Sequence, residues 1–185
     1  MQPFRALSGD KAVRDPTGPR AAADASFVTF MESAWQRHLR LAMLLTGDRL
    51  RAEELLQDGL VKVYLRWARL SHDGDPHAYL RRVVLNNHRS WWQRHRREDL
   101  VADVPDRAAP DGFDADVEVR RALMALPPRQ RAVVVLRLYE DLSERRTAAV
   151  LGCSVGNVKS QYARALAKLR RSVPEPSYQE SRSHR

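Results

Sequence analysis

The sequence contains little cysteine, little glycine and no long apolar run. A single cysteine, Cys153, excludes an internal disulfide framework and suits a reducing cytoplasm. No segment approaches the ~20 consecutive apolar residues needed to span a bilayer, and residues 1–24 lack the apolar core of a secretory signal. Because glycine is scarce and β-branched runs are short, the composition favours an all-α fold. We therefore expect a cytoplasmic helical protein without membrane insertion.

Catalytic and metal-binding patterns are also missing. None of the 6 histidines pairs with a second ligand at the spacing of a zinc site, and no glycine-rich phosphate loop or nucleophile motif is present. We therefore predict no metal, no cofactor and no catalytic residue.

Charge, in contrast, is abundant and segregated. The 32 basic and 23 acidic residues give a net charge of +9, which indicates a polyanionic partner. Residues 77–97 contain six arginines and no carboxylate, and residues 143–171 contain seven basic residues and one acid. Between them, residues 98–118 hold eight acids and one base. This alternation predicts two separate DNA-binding elements joined by an acidic segment.

Apolar periodicity places three longer helices before the acidic segment and four shorter helices after it. The first helix is predicted over about 26–46, the second over about 48–68, and the third begins at Pro76. Proline and glycine in the acidic segment predict a flexible linker, across which the two helical halves are unfixed relative to each other. The predicted order is a disordered extension (1–25), a helical domain (26–97), a linker (98–115), a second helical domain (116–172) and a disordered tail (173–185).

Residues 142–160 have the pattern of a helix-turn-helix. Ser143 and Ser154 are predicted caps of its two helices, and Gly152 is suited to the turn between them. Amide and guanidinium groups can read base edges, and lysine can neutralise phosphate. The side chains predicted to face the DNA groove are Asn157, Lys159, Ser160, Gln161 and Arg164.

The residues around this motif are more specific than the motif itself. In the second half, the matching stretches are 126–131, 136–143, 151–160 and 164–170. In the first half, they are 52–58, 76–89 and 91–97. These stretches strongly resemble region 4 and regions 2.2, 2.3 and 2.4 of bacterial sigma factors of the extracytoplasmic-function group, and most of all its SigE-like actinobacterial subgroup.

This resemblance implies a sigma region 2 helical bundle followed by a sigma region 4 helix-turn-helix domain. It also implies a non-catalytic subunit that binds core RNA polymerase through the β′ clamp helices and the β flap. Promoter DNA, both duplex and single-stranded, is the second expected partner, and the sequence leaves open whether an anti-sigma factor exists.

The resemblance assigns roles to three sets of side chains. A mixed acidic and amide patch on the second helix is expected to bind the polymerase. Of two adjacent tryptophans, Trp91 continues the apolar seam, so Trp92 is the better candidate for stacking on an unpaired base. The expected polymerase-binding residues are Glu54, Gln57 and Asp58; those for the minus-ten element are Arg82, Asn86, Asn87, Arg89, Trp92 and Arg96; those for the minus-thirty-five element are Ser154, Asn157, Lys159, Ser160, Gln161 and Arg164.

Two other classes of protein compete with this interpretation. An enzyme is disfavoured because the catalytic patterns named above are missing. A conventional operator-binding regulator would also carry a helix-turn-helix. Such a regulator would not need the arginine- and tryptophan-containing third helix or the polar patch on the second helix.

Overall fold

The computed structural model describes residues 18–95 and 117–172. Every regular element in this part of the chain is helical, which confirms the all-α prediction. None of the described helices is both long and apolar enough to cross a membrane. The elements are α1 (Pro19–Thr46), α2 (Arg49–Tyr64), α3 (Trp67–Asp73), α4 (Pro76–His95), α5 (Val117–Met124), α6 (Pro128–Val134), a π-helical turn (Val135–Tyr139), α7 (Glu144–Leu151) and α8 (Val155–Ser172).

The first helix begins earlier than predicted. Disorder was predicted over 1–25, but α1 starts at Pro19, so that prediction is wrong for 19–25. Proline in the first turn followed by three alanines favours helix locally. Tertiary contact then holds the segment, because the Tyr64 hydroxyl donates a 2.7 Å hydrogen bond to the Asp24 carboxylate.

The predicted linker, the predicted tail and Arg96 lie outside the described residues.

The turn between α1 and α2 follows the sequence closely. Gly47 ends α1 in the left-handed conformation, with φ of 71°, and its N–H donates to the Met43 carbonyl at 2.8 Å. Asp48 caps α2 by accepting a 2.8 Å hydrogen bond from the Arg51 N–H. Both roles suit the residue types, because glycine tolerates the left-handed conformation and aspartate is a favoured N-cap residue.

The second predicted helix is broken into two. Instead of running to about residue 68, α2 ends at Tyr64, and α3 begins at Trp67. The break turns the Trp67 ring into the core, where its centroid lies 5.3 Å from Phe27 and 5.1 Å from Phe30. Packing of these three aromatic rings sets the direction in which the chain leaves α2, and helical periodicity alone could not show this.

The two halves of the chain pack against each other. The expectation that they are unfixed relative to each other is therefore wrong for this structure. The physical reason is a continuous apolar core that draws on both halves. Its buried members include Leu41, Leu45, Leu80 and Val84 from the first half and Ala132, Val135, Leu136 and Leu142 from the second.

Arg131 makes a polar connection between the halves. This buried side chain belongs to α6, and its guanidinium donates a 2.6 Å hydrogen bond to the Leu45 carbonyl in the last turn of α1. It also donates to the carbonyls of Met124 and Leu126. A carbonyl in the last turn of a helix lacks an intrahelical donor, so Arg131 supplies the hydrogen bond that the end of α1 lacks. Its positive charge also lies at the negative end of the α1 dipole. Burial lowers the pKa of Arg131 to about 10, so it remains charged at neutral pH.

Glu140 makes the second polar connection. Its side chain has no exposed surface, and its Oε2 accepts from Arg37 Nη2 on α1 at 3.1 Å and from Arg81 Nε on α4 at 2.6 Å. The Tyr139 hydroxyl beside it donates to the Arg37 carbonyl at 3.3 Å. One carboxylate of the second half therefore joins two helices of the first.

Two buried histidines are held neutral. Burial lowers the pKa of His38 to about 4, although the nearby Glu140 opposes the shift. Burial, reinforced by Arg131 and Arg51, lowers the pKa of His88 to about 4. Neither ring nitrogen of His88 has a hydrogen-bond partner among the described residues.

We predict that the protein loses stability as pH falls from 6.5, the ordinary histidine pKa, towards 4. Between these two pH values, both histidines are protonated in the unfolded chain but remain neutral in the folded chain, so protonation favours unfolding. A shift of this size corresponds to about 3 kcal/mol for each histidine. Between pH 7 and pH 4.5, His88→Leu should therefore reduce the acid-induced loss of unfolding free energy by about 2 kcal/mol, since part of the effect falls below pH 4.5. Urea denaturation at pH 7 and pH 4.5 measures it, with the exposed His72→Gln as the control. An unchanged pH dependence in His88→Leu would contradict the assignment.

Candidate nucleic-acid and partner interface

The outer face of α2 presents the predicted polar patch. Glu54, Gln57 and Asp58 are all exposed and lie within about one helical turn. Arg51 Nη1 lies 2.7 Å from Glu54 Oε2, so one acid of the patch is already paired within α2. The remaining groups offer a carboxylate and an amide to a partner.

Sequence reasoning missed the apolar part of this face. Leu50, Val61 and Leu65 are 62%, 59% and 75% exposed. At about 100° per residue, they and the polar patch fall within a helical arc of about 100°. The signal was present as spacing, since positions 50, 54, 57, 58, 61 and 65 follow helical steps of three and four. We call these six residues the α2 outer face.

One side of α4 is exposed and cationic. Arg82, Asn86 and Arg89 are exposed and follow one another at steps of four and three residues, so they form a line along the helix. Trp92 is half-buried and lies about 60° around the helix from Arg89. The structure therefore brings four of the predicted residues to one region of α4.

Asn87 and Trp91 turn towards α2 instead. Lys62 Nζ donates a 2.7 Å hydrogen bond to Asn87 Oδ1, and Asn87 Nδ2 is buried without a partner among the described residues. The Arg51 guanidinium lies 4.5 Å from the centroid of the Trp91 ring, in cation–π geometry. Asn87 thus occupies the contact between α2 and α4 and not the cationic line.

The helix-turn-helix has the predicted caps. Ser143 Oγ accepts from the Arg146 N–H, and Ser154 Oγ accepts from the Asn157 N–H at 3.1 Å. Gly152 ends α7 with φ of 63°. Val158 is fully buried and packs with Val133 and Ala148, so α8 is held against α6 and α7. Val155, three positions before Val158 on α8, is exposed.

The outward face of α8 carries most of the predicted DNA-reading residues. Asn157, Ser160 and Arg164 are exposed, and Gln161 beside them is half-buried. These four fall within an arc of about 100°. Lys159 lies on the opposite side, where its Nζ is 3.7 Å from Glu144 of α7. Lysine at position 168 continues the line of positions 157, 161 and 164 and was missed by sequence reasoning.

The described residues contain no cluster of three or more histidine, cysteine, aspartate or glutamate side chains able to hold a metal ion. Two of the described histidines, His38 and His77, have ring nitrogens 3.2 Å apart. This contact lies inside the first half, away from the outward faces of α4 and α8. The exposed side chains described above on α4 and α8 are cations and amides, with the half-buried Trp92 ring beside them on α4.

Comparison with known sequence families divides the chain as the charge pattern does. Residues 32–98 match the family described as Sigma-70 region 2. Residues 116–169 match the family described as Sigma-70, region 4. Together the two matches include α2, α4, α7 and the predicted DNA-reading part of α8.

Curated relatives carry the same two regions. The RNA polymerase sigma-E factor of Streptomyces avermitilis is 38% identical over 153 residues, which cover 80% of this chain and 84% of the relative. The ECF RNA polymerase sigma factor SigM of Mycobacterium tuberculosis is 36% identical over 141 residues, covering 71% of this chain and 69% of SigM.

Solved structures share the fold. The sigma factor RpoE of Bartonella quintana, solved in complex with the anti-sigma factor NepR, matches with a TM-score of 0.67 and 24% identity. That match covers 80% of this chain and 96% of RpoE. CnrH, solved in complex with the cytosolic domain of CnrY, matches with a TM-score of 0.55 and 25% identity over 80% of this chain and 90% of CnrH.

We predict that Ser154 supports the recognition helix by capping it. Ser154→Ala should lower the free energy of unfolding by about 1 kcal/mol, and Ser154→Asp should retain most of it, because aspartate is an equally good cap. Ser160→Ala is the matched control. Its hydroxyl donates to the Gly156 carbonyl within the same helix, at 3.0 Å, and contributes little. Urea denaturation measures all three variants, and equal stability of Ser154→Ala and Ser160→Ala would contradict the capping role.

Proposed function

The chain belongs to the sigma-70 family of RNA polymerase sigma factors, in its extracytoplasmic-function group, and from this membership we propose a division of labour among its surfaces. Members of this family are non-catalytic subunits that direct promoter-specific transcription initiation by RNA polymerase. In the proposal, the α2 outer face binds the β′ clamp helices and the helix-turn-helix domain approaches the β flap. The outward side of α4 binds the minus-ten element and α8 binds the minus-thirty-five element.

The α2 outer face has the composition of a protein interface. Three exposed aliphatic side chains flank Gln57 and Asp58, so a partner helix could bury apolar surface and pair with the carboxylate. A basic partner fits best, because the available charge on this face is negative while the chain as a whole is strongly cationic. This combination supports docking on a protein and disfavours docking of α2 on DNA.

The outward side of α4 suits single-stranded DNA. Arg82 and Arg89 can neutralise backbone phosphates, and the half-buried Trp92 offers a ring face on which an unstacked base can rest. Such stacking is worth about 1–3 kcal/mol per base. In this proposal α4 captures the strand exposed when the minus-ten element melts.

The outward face of α8 suits duplex DNA. Asn157, Gln161 and Arg164 lie on one face and carry the groups that read base edges in a major groove. Lys159 is assigned a phosphate contact at the edge of the groove, because it projects towards α7 and Glu144. This placement supports the phosphate contact that suits a lysine and argues against the groove-facing position expected for Lys159.

The observation that carries the proposal is the presence of three chemically different exposed surfaces on one compact chain. A conventional operator-binding regulator needs only α8. Run-off transcription with purified core polymerase on genomic fragments, with mapping of the initiated transcripts, tests the proposal. Defined start sites that depend on this protein support it. Tight operator binding by the isolated protein with no effect on core polymerase favours the regulator.

An anti-sigma factor is included among the proposed partners. The support is the likeness to CnrH, whose solved structure contains the cytosolic domain of CnrY. The test is co-expression with candidate regulators, scored by inhibition of the run-off reaction.

We predict that Asp58→Arg and Val61→Arg each weaken binding to core polymerase by tenfold or more, because each places a cation against a basic or apolar partner surface. Arg69→Glu, an exposed charge reversal on α3 outside this face, is the control and should change affinity little. Fluorescence titration with labelled protein measures affinity, and circular dichroism checks the fold. Unchanged affinity in both folded variants would show that this face is only solvated surface.

We predict that Trp92→Ala and Arg164→Ala fail at different steps. Trp92→Ala should spare closed-complex formation and impair strand opening, whereas Arg164→Ala should weaken the closed complex by about 1–3 kcal/mol. A template already melted across the minus-ten element should rescue Trp92→Ala more than Arg164→Ala. Permanganate footprinting on duplex and pre-melted templates measures both effects, and equal rescue would contradict the assigned roles of α4 and α8.

A further inference from the structure

We propose that the junction of α2, α4 and α6 is a binding site for a small monovalent anion of the size of chloride, held by N–H groups of Arg51, His88 and Arg131. The three residues lie on three different helices, Arg51 on α2, His88 on α4 and Arg131 on α6. None of them belongs to the α2 outer face or to the predicted DNA-binding residues. The site is therefore a property of the folded chain that goes beyond the proposed function.

The His88 ring is buried in this junction without a hydrogen-bond partner from the described chain. Neither Nδ1 nor Nε2 meets a partner within residues 18–95 and 117–172. A neutral imidazole ring carries one N–H donor and one acceptor nitrogen. Because a polar group buried without a partner destabilises the folded state, the donor in this position requires an acceptor that the described side chains do not supply.

Arg51 approaches the junction from α2. Its guanidinium lies 4.5 Å from the centroid of the Trp91 ring, and Trp91 follows His88 by three positions, so both α4 residues lie on one side of that helix. Arg51 Nη1 is paired with Glu54 Oε2 at 2.7 Å. Arg51 Nε, in contrast, is shielded from solvent and has no partner among the described residues. This N–H can therefore donate to a bound ligand.

Arg131 approaches from α6 and brings a full positive charge. In the described part of the chain, its two Nη atoms donate to the carbonyls of Leu45, Met124 and Leu126 and to the Met124 sulfur, all of which are uncharged. Its Nε is buried, and no described residue accepts from it. Burial lowers the pKa of Arg131 only to about 10, so the buried cation persists at neutral pH.

Both arginine charges act on the His88 ring. Burial is the first cause that lowers the pKa of His88 to about 4, and the positive charges of Arg131 and Arg51 add to it. Helix α4 packs directly against both α2 and α6, which brings the two cations close to the ring. Two cationic N–H groups and one imidazole N–H therefore gather at one buried position.

These groups favour an anion over a cation or a neutral molecule. The two guanidinium groups are donors only, and a halide accepts several N–H donors while its charge compensates theirs. Desolvation of an ion is costly, so the converging positive charges are needed to offset it. A monatomic anion suits nitrogen atoms that are all shielded from solvent, because each oxygen of a phosphate or sulfate would require a further donor. A water molecule is the alternative, since it would satisfy the hydrogen bonds but not the charge.

Urea denaturation of the full chain at pH 7 and constant ionic strength tests the site in solution. An anion that binds only the folded chain should lower the equilibrium constant of unfolding about tenfold when its concentration is about ten times its dissociation constant. We therefore expect chloride and bromide to stabilise the protein in a saturable manner relative to gluconate, which is too large for a buried site. Circular dichroism verifies the fold of every variant.

Two substitutions should remove the preference for halide. Arg51→Met deletes one donor and its charge, and His88→Leu deletes the imidazole donor; either variant that folds is sufficient for the comparison. Arg49→Met is the matched control, because Arg49 lies on the same helix and pairs with Glu53 at 2.7 Å but is exposed and outside the junction. The proposal is overturned if the parent protein shows no saturable halide effect, or if Arg51→Met and His88→Leu respond to halide as Arg49→Met does.

Crystals grown with bromide in place of chloride locate the ion, because bromide has the same charge, a similar size and an anomalous X-ray signal. We expect an anomalous peak in hydrogen-bond contact with Arg51 Nε, Arg131 Nε and a ring nitrogen of His88. A water molecule in that position with no anomalous signal would refute anion binding. A bromide peak without saturable stabilisation in solution would show binding at crystal concentration only, which also overturns the proposal.

Discussion

The arrangement of this protein depends on the contact between its two halves, and above all on one buried carboxylate. Glu140 holds Arg37 and Arg81, which belong to different helices of the first half. Around it, residues of both halves form one apolar core. A buried ion pair contributes less net stability than its geometry suggests, but few other arrangements of the two halves would pair the same charges. The apolar core therefore supplies the adhesion, while Glu140 and Arg131 specify the orientation in which the halves meet.

Helix α2 is also central to the structure, because it packs into the core on one side and offers a binding surface on the other. Its inner side packs against α1 and α4, with Leu55, Leu56 and Leu60 buried. Its outer side leaves aliphatic and acidic groups in solvent. The two sides are linked chemically, because Arg51 pairs with Glu54 and also covers the Trp91 ring. The surface proposed for the polymerase and the helix proposed for single-stranded DNA therefore share a side chain.

Much of the local structure could be predicted because it depends on near neighbours. The left-handed end of α1 at Gly47, the cap at Asp48 and the caps of the helix-turn-helix follow from residues three or four positions apart. The break before Trp67 could not be predicted in this way. It depends on the contact of the Trp67 ring with Phe27 and Phe30 of another helix, and helical periodicity carries no information about such contacts.

The sequence by itself determined the family, the all-α fold and the separation of cationic surfaces, because these depend on composition, spacing and motif order. It also placed Asn157, Gln161 and Arg164 on one face, since helical geometry fixes which residues share a side. Only the tertiary structure decided that Asn87 and Lys159 point towards neighbouring helices, and that Leu50, Val61 and Leu65 remain uncovered. It alone showed that the halves close on Glu140. The reason is that burial and pairing are properties of two surfaces meeting, and a linear pattern describes only one of them.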